Sequence, residues 1–417
     1  MKSVSGNAFA LVAAVGMAAT LSVPTAMAAK KPKATEVPKG PAPELSVPFR
    51  KAFAELQVAV KAANPVDIQA KLTAMEPITT MPDEKYYLAV MRLELAKLTK
   101  DRATTRAAVL GMIASQSKLI SNLADLHYNA GALAYEAAEY PAALAGFAEA
   151  DRLGSKDINR LILPAEISFK SSKIPEGIAF LNRAIAEKSA PGQPAPEDWY
   201  KRGVAFANKS KNVALTNDMA RAWVRAYPNV VSWREALALY RDTGKIEPLV
   251  QLDIFRLMRQ TKSLTGERDF YDYAAVANER ALPGEAKSVI EEGYASLAVP
   301  KTSKPVAEML TLANGKLAAD QVSVAADDKR ARSSAESKLA ANTGNAYLAY
   351  GNNEKAIELL RLALTKPGVD ADTVNTRLGI ALTKAGQKAE ARTTFGMVKG
   401  VRTETAKFWL LYLDLNP

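Results

Sequence analysis

ADLHYNAGALAYEAAEYPAALAGFAEADRLGS, residues 124–155, is the stretch that decides the fold. Counting from Ala124, His127 stands at position 4, Gly131 at 8, Ala134 at 11, Ala143 at 20, Phe147 at 24 and Ala150 at 27. Residues three, four and seven apart share one side of an α-helix. The pattern breaks at Ala138-Glu139-Tyr140-Pro141, where a turn is expected. Proline is accepted in the first turn of a helix but not in its interior, so a second helix should begin there. The stretch therefore reads as two helices. Small residues at 8, 20 and 27 let them approach closely, and larger ones at 4 and 24 fill the space between successive pairs.

The unit recurs. His127, Leu161, Trp199, Trp233, Phe270, Ala340 and Asn375 open segments that align, at spacings of 34, 38, 34, 37, 70 and 35 residues. A fixed period in this range signals stacked copies of one helix pair. The last clear copy places Leu378, Gly379, Leu382, Gly386, Ala391 and Phe395 at positions 7, 8, 11, 15, 20 and 24. The copy before it has Gly344, Tyr347, Gly351, Ala356 and Leu360 at 8, 11, 15, 20 and 24. Copies opening at Leu161, Trp233 and Phe270 are degraded, and the Trp233 copy carries Pro248 at position 19.

This pattern resembles the tetratricopeptide repeat, in which positions 8, 20 and 27 are small and 24 is aromatic. Ala134 departs from it, being small where a large residue is usual. The resemblance covers residues 124–400. It implies an all-α fold, an α-solenoid of stacked antiparallel helix pairs wound into a right-handed superhelix. On this reading residues 49–123 form N-terminal helix pairs of similar kind, 124–300 a first part of the solenoid and 337–400 a second. Residues 301–336 fill one period without matching it, and a degenerate helix pair with a turn near Asn314-Gly315 is expected. Residues 401–417 hold Phe408, Trp409, Leu410, Leu411, Tyr412 and Leu413. A stack exposes the apolar face of its last unit unless something caps it, so this segment is expected to be a capping helix. An exposed apolar partner site is the alternative.

The resemblance also implies a binding surface. In tetratricopeptide-repeat proteins the first helix of each pair lines a concave groove with positions 2, 5, 9 and 12. Carried over here, that groove holds Tyr128, Tyr135, Phe169, Tyr200, Arg234, Arg241, Tyr271 and Asn278. Tyr and Arg often supply the strongest contacts of an interface. The expected function is a non-catalytic scaffold or assembly factor that holds a protein or peptide in this groove. The Lys/Asn clamp that some such proteins close on a C-terminal carboxylate is missing.

Composition narrows the remaining classes. The 417 residues contain no cysteine and one histidine, His127. Disulfides, thiolate metal sites and cysteine nucleophiles are excluded. His127 sits at a packing position, with no partner pattern for acid–base work. Adjacent acids such as Asp327-Asp328 and Glu291-Glu292 point different ways on a helix, and no glycine-rich phosphate loop or nucleophile elbow is present. The sequence thus offers no catalytic residue, cofactor-binding motif or metal set.

Residues 1–28 read as a signal peptide: Lys2, an apolar stretch from Ala8 to Ala19, Pro24, and Ala26-Met27-Ala28 for cleavage. A periplasmic or secreted location in a Gram-negative bacterium is expected, with no membrane-spanning segment after cleavage. Residues 29–48 hold five Pro and four Lys and read as a disordered linker. The net charge is +11, or +10 without residues 1–28, which contain Lys2 and no acid. A basic balance favours acidic partners, so an anionic cell-wall polymer, peptidoglycan or an acidic polysaccharide, is the alternative ligand. Basic residues form no dense block, which argues against nucleic acid.

Overall fold

The computed structural model describes residues 42–243 and 246–417. The expected signal peptide, and the linker as far as residue 41, lie outside the described residues. The described chain is all-α: stacked antiparallel helix pairs with no strand among the described residues, only a bridge between Ala190 and Gln193. It divides into two compact units, Met1–Glu187 and Lys188–Pro417.

Unit 1 contains α1 (Val47–Lys61), α2 (Pro65–Met75), α3 (Pro82–Thr99), α4 (Arg102–Ser115), α5 (Leu123–Glu136), α6 (Tyr140–Arg152), α7 (Asn159–Lys170) and nearly all of α8 (Ile174–Lys188). Helix starts follow from the sequence. The Asn64 side chain accepts from the backbone N–H groups of Val66 and Asp67, with Pro65 at the first helical position. Residues 42–48 are held, not free as a linker would be. The backbone N–H of Glu44 donates to Asp83 and that of Ser46 to Glu84, both at 2.8 Å. Burial alone would raise the Glu84 carboxyl. Its bonds from the backbones of Met81, Ser46 and Thr80 override this and hold it at about 2.

The pair α5/α6 shows how the repeat works. At the turn, Ala138 takes a left-handed φ of 58° and the Glu139 N–H donates to Ala134 O at 2.9 Å. That is a Schellman-type helix end. The same closure recurs at Gly351, with Asn352 N–H to Tyr347 O, and at Gly386, with Gln387 N–H to Leu382 O, each 2.9 Å. The helices meet backbone to backbone: a Cβ on Gly146 would lie 2.7 Å from Gly131 Cα. Position 8 faces position 24, as the pattern implies. A Cβ on Gly131 would meet the Phe147 ring at 3.0 Å, on Gly344 the Leu360 side chain at 2.8 Å, and on Gly379 the Phe395 ring at 2.7 Å.

Unit 2 contains α9 (Glu197–Lys209), α10 (Val213–Ala226), α11 (Val230–Thr243), α12 (Pro248–Gln260), α13 (Gly266–Glu279), α14 (Pro283–Ala295), α15 (Lys304–Ser333), α16 (Ser337–Ala349), α17 (Asn353–Leu364), α18 (Ala371–Lys384), α19 (Lys388–Gly396) and α20 (Thr403–Leu415). One apolar core runs through it from Ala220 to Leu413. Helix α15 corrects the expectation of a helix pair at 301–336: it is a single helix of 30 residues, unbroken at Asn314-Gly315. One glycine in a helix costs only about 1 kcal/mol. Val306, Ala313, Val324 and Ala331 are buried along one side, and that continuous face outweighs it.

Helix α20 is buried through Phe408, Trp409, Leu411 and Leu413. It covers α19, where Trp409 stacks on Phe395 at 5.8 Å. It also reaches the early helices of the unit. Phe408 stacks on Tyr240 of α11 at 5.5 Å, and the Trp409 indole donates to Asp253 O of α12 at 3.3 Å. Gln260 donates to the Tyr412 hydroxyl at 2.8 Å, and Arg225 of α10 pairs with Asp414 at 3.0 Å.

Beside this contact lies a buried charge network. Arg256 is fully buried; it pairs with Glu285 at 2.6 Å and Asp253 at 3.1 Å, and donates to Asn345 at 3.0 Å. Asp253 also pairs with Arg402, just before α20. The Tyr273 hydroxyl donates to Glu285 at 2.6 Å.

Candidate functional site

The groove residues picked from the sequence fall into two groups. In unit 1, Tyr128 is buried, with its ring 5.9 Å from that of Phe147. Burial, with Asp157 nearby, raises its hydroxyl to about 12. Phe169 is buried and covers Gly177, where a Cβ would come within 2.4 Å of its ring. Tyr135 is half-buried. Lys170 donates to its hydroxyl at 3.2 Å and lies 4.9 Å from its ring centroid. In unit 2, Tyr200 is buried and meets Tyr227 edge-on at 5.9 Å. Asn278 is buried; its amide nitrogen donates to Met309 O at 3.5 Å and its Oδ1 has no partner. Tyr271 is half-buried against the core. Tyr128, Phe169, Tyr200 and Asn278 therefore serve packing between helices, and Tyr135, Tyr271, Arg234 and Arg241 keep a face toward solvent.

Arg234 and Arg241 are brought together. They lie seven residues apart on α11 and both reach Asp269 of α13, at 3.6 and 3.7 Å. Asp269 is buried and also accepts from the backbone N–H of Thr265 at 3.0 Å. The carboxylate thus links two successive first helices through the guanidinium groups of one.

Next to this link opens a pocket of about 460 Å³. Ile246, Phe255, Ala275 and Val276 are its apolar lining, and Arg241, Asp242, Arg268 and Asp272 its charged lining. The Arg241 guanidinium lies 5.0 Å from the Phe255 ring centroid, a cation–π contact. Its Nε pairs with Asp242 at 3.1 Å, while its Nη1 is buried and makes no hydrogen bond. Arg268, 88% exposed, pairs with Asp272 at 3.6 Å. Such a pocket can take an apolar side chain beside Ile246 and Ala275 and an acidic group at the exposed Arg268.

In the repeat numbering Arg268, Ala275 and Arg241 stand at positions 2, 9 and 12. The groove rule covers Arg241, Ala275 and Arg268 but not Phe255 or Val276. Phe255 belongs to the second helix of the irregular Trp233 copy, where no position rule applies. Spacing gave no signal for it.

No family model and no curated protein matches the chain. Solved structures do. A tetratricopeptide repeat protein from Parabacteroides merdae is 11% identical, covering 72% of this chain and 99% of its own, at a TM-score of 0.30. The TPR domain of P58(IPK) is 12% identical, covering 88% and 98%, at 0.23. NprR in complex with its cognate peptide NprX is 12% identical, covering 90% and 89%, at 0.24. At those scores the assignment rests on the chain's own repeats: position 8 packed on 24, the recurring helix-end closure and the period near 34. On these grounds the fold is an all-α solenoid whose helix pairs resemble the tetratricopeptide repeat.

Proposed function

We propose that the chain is a non-catalytic scaffold that holds an extended segment of a partner protein. The pocket at positions 2, 9 and 12 of α11 and α13 supports this reading most directly. An apolar side chain of the partner enters beside Ile246 and Ala275, and a carboxylate of the segment meets the exposed Arg268 guanidinium. A preformed pocket on packed helices loses little ordering entropy on binding. Residues 1–28 support export to the periplasm, with cleavage after Ala28.

The test is affinity capture from an envelope fraction with the full chain and an Arg241→Ala, Arg268→Ala variant. Capture of a defined protein is expected to fall at least about tenfold in the variant, the loss of one or two charged contacts. Equal capture by both would sink the pocket assignment. Intact mass of the captured bait reports export, since a chain retaining Met1–Ala28 refutes cleavage.

A further inference from the structure

The centre of unit 2 carries more positive charge than it can neutralise. Asp253 and Glu285 are its two buried carboxylates, and Arg256 and Arg402 are paired with them. Two further cations on α18 face the same groups. Arg377, 5% exposed, feels Asp253, Arg256, Arg402 and Glu285. Lys384, half-buried, feels Glu285, Arg256, Arg259 and Glu292. Arg259 and Glu292 neutralise one another at 2.6 Å. Two buried carboxylates therefore face four cations, and only the exposed Asp370 adds a carboxylate near Arg402 and Arg377.

The surplus sits on Arg377 and Lys384. Among the described residues neither has a carboxylate within 4.0 Å, and neither makes a hydrogen bond. The Arg377 Nε is buried and unpartnered. Asp370, just before α18, accepts from the Thr373 backbone N–H and reaches Arg402 and Arg377 only through space. Burying a charge without a partner costs several kcal/mol, so a tolerated one marks a place where a counter-charge belongs. Arg377 and Lys384 are seven residues apart, two turns along one side of α18. Lys384, the more exposed of the two, stands at the solvent side. Burial pushes Arg377 down to about 10 and Lys384 to about 8, so both remain largely cationic at pH 7.

We propose that the Arg377–Lys384 side of α18 binds a small dianion, a phosphate, sulfate or dicarboxylate, which supplies the negative charge that the buried carboxylates of this centre do not. Arg offers a planar fork to an oxyanion and Lys a point charge, the pairing such ligands require.

The experiment uses the full chain at pH 7 and constant ionic strength. Thermal unfolding and calorimetric titration are read in chloride and with added phosphate, sulfate or succinate. A saturable stabilisation by at least one dianion is expected, and the one that acts names the class. In Arg377→Met the dissociation constant should rise at least about tenfold. In chloride alone the same variant should be as stable as the parent or more so, since it removes an unpaired buried charge. General exclusion of kosmotropic anions stabilises any fold and does not saturate. An equal, unsaturated shift in parent and variant would therefore overturn the site. So would a parent that binds no dianion calorimetrically. If Arg377→Met does not fold, Lys384→Met carries the same comparison, and an unchanged dissociation constant in it is equally decisive.

Discussion

Glu285 shows how much depends on single groups in this fold. Burial would raise its carboxyl, but the charge and hydrogen bonds of Arg256 override that and hold it at about 2, below its ordinary 4.5. A carboxyl depressed in the folded state adds stability above its unfolded value and loses it as pH falls through the folded one. Unit 2 should therefore weaken between about pH 5 and pH 2. Glu285→Gln leaves Arg256 short of its closest partner and should cost about 3–5 kcal/mol at pH 7. Urea midpoints of parent and variant should converge as pH falls toward 2. A gap that stays constant across the window would mean that Glu285 is not the group being titrated. None of this was legible in the sequence. Arg256, Glu285 and Asn345 come from three helices, and no spacing relates them.

Among the elements, those that follow the repeat were the readable ones. Gly131, Gly344 and Gly379 could be assigned to helix contacts because the small residue at 8 and the large one at 24 recur. Gly146 tests that geometry. Its missing Cβ lets α5 and α6 meet at 2.7 Å from backbone to would-be side chain, which a methyl group cannot share. Gly146→Ala should cost about 1–3 kcal/mol as the helices are forced apart. A variant as stable as the parent by denaturant titration would show that the pair can separate freely. Elements outside the period were read less well. Helix α15 was expected to break at Asn314-Gly315, because an Asn-Gly pair signals a turn when only local residues are weighed. Its course is set by packing at Val306, Ala313, Val324 and Ala331, which are 7, 11 and 7 residues apart. The apolar run at 408–413 gave α20 as a cover for the last repeat. That it also packs on α10, α11 and α12 depends on how the unit curves, a sum of small rotations that no single repeat encodes.

That second contact of α20 sets how unit 2 should behave as a whole. In an open repeat stack each pair touches only its neighbours, so stability is nearly a sum of local terms and the ends fray. Helix α20 departs from this by joining α18 and α19 to α10, α11 and α12 through Trp409, Phe408, Tyr412 and Asp414. Opening α10 then means breaking contacts at the far end of the same unit. Amide exchange under native conditions should give similar opening free energies across α10 to α19. Trp409→Ala removes a fully buried indole and should cost about 3–5 kcal/mol. Its effect on exchange should extend beyond the last repeat, with amides of α11 and α12 losing protection together with those of α18. Loss confined to α18 and α19 would mean that the early helices hold without the closure, and that unit 2 behaves as an ordinary open stack.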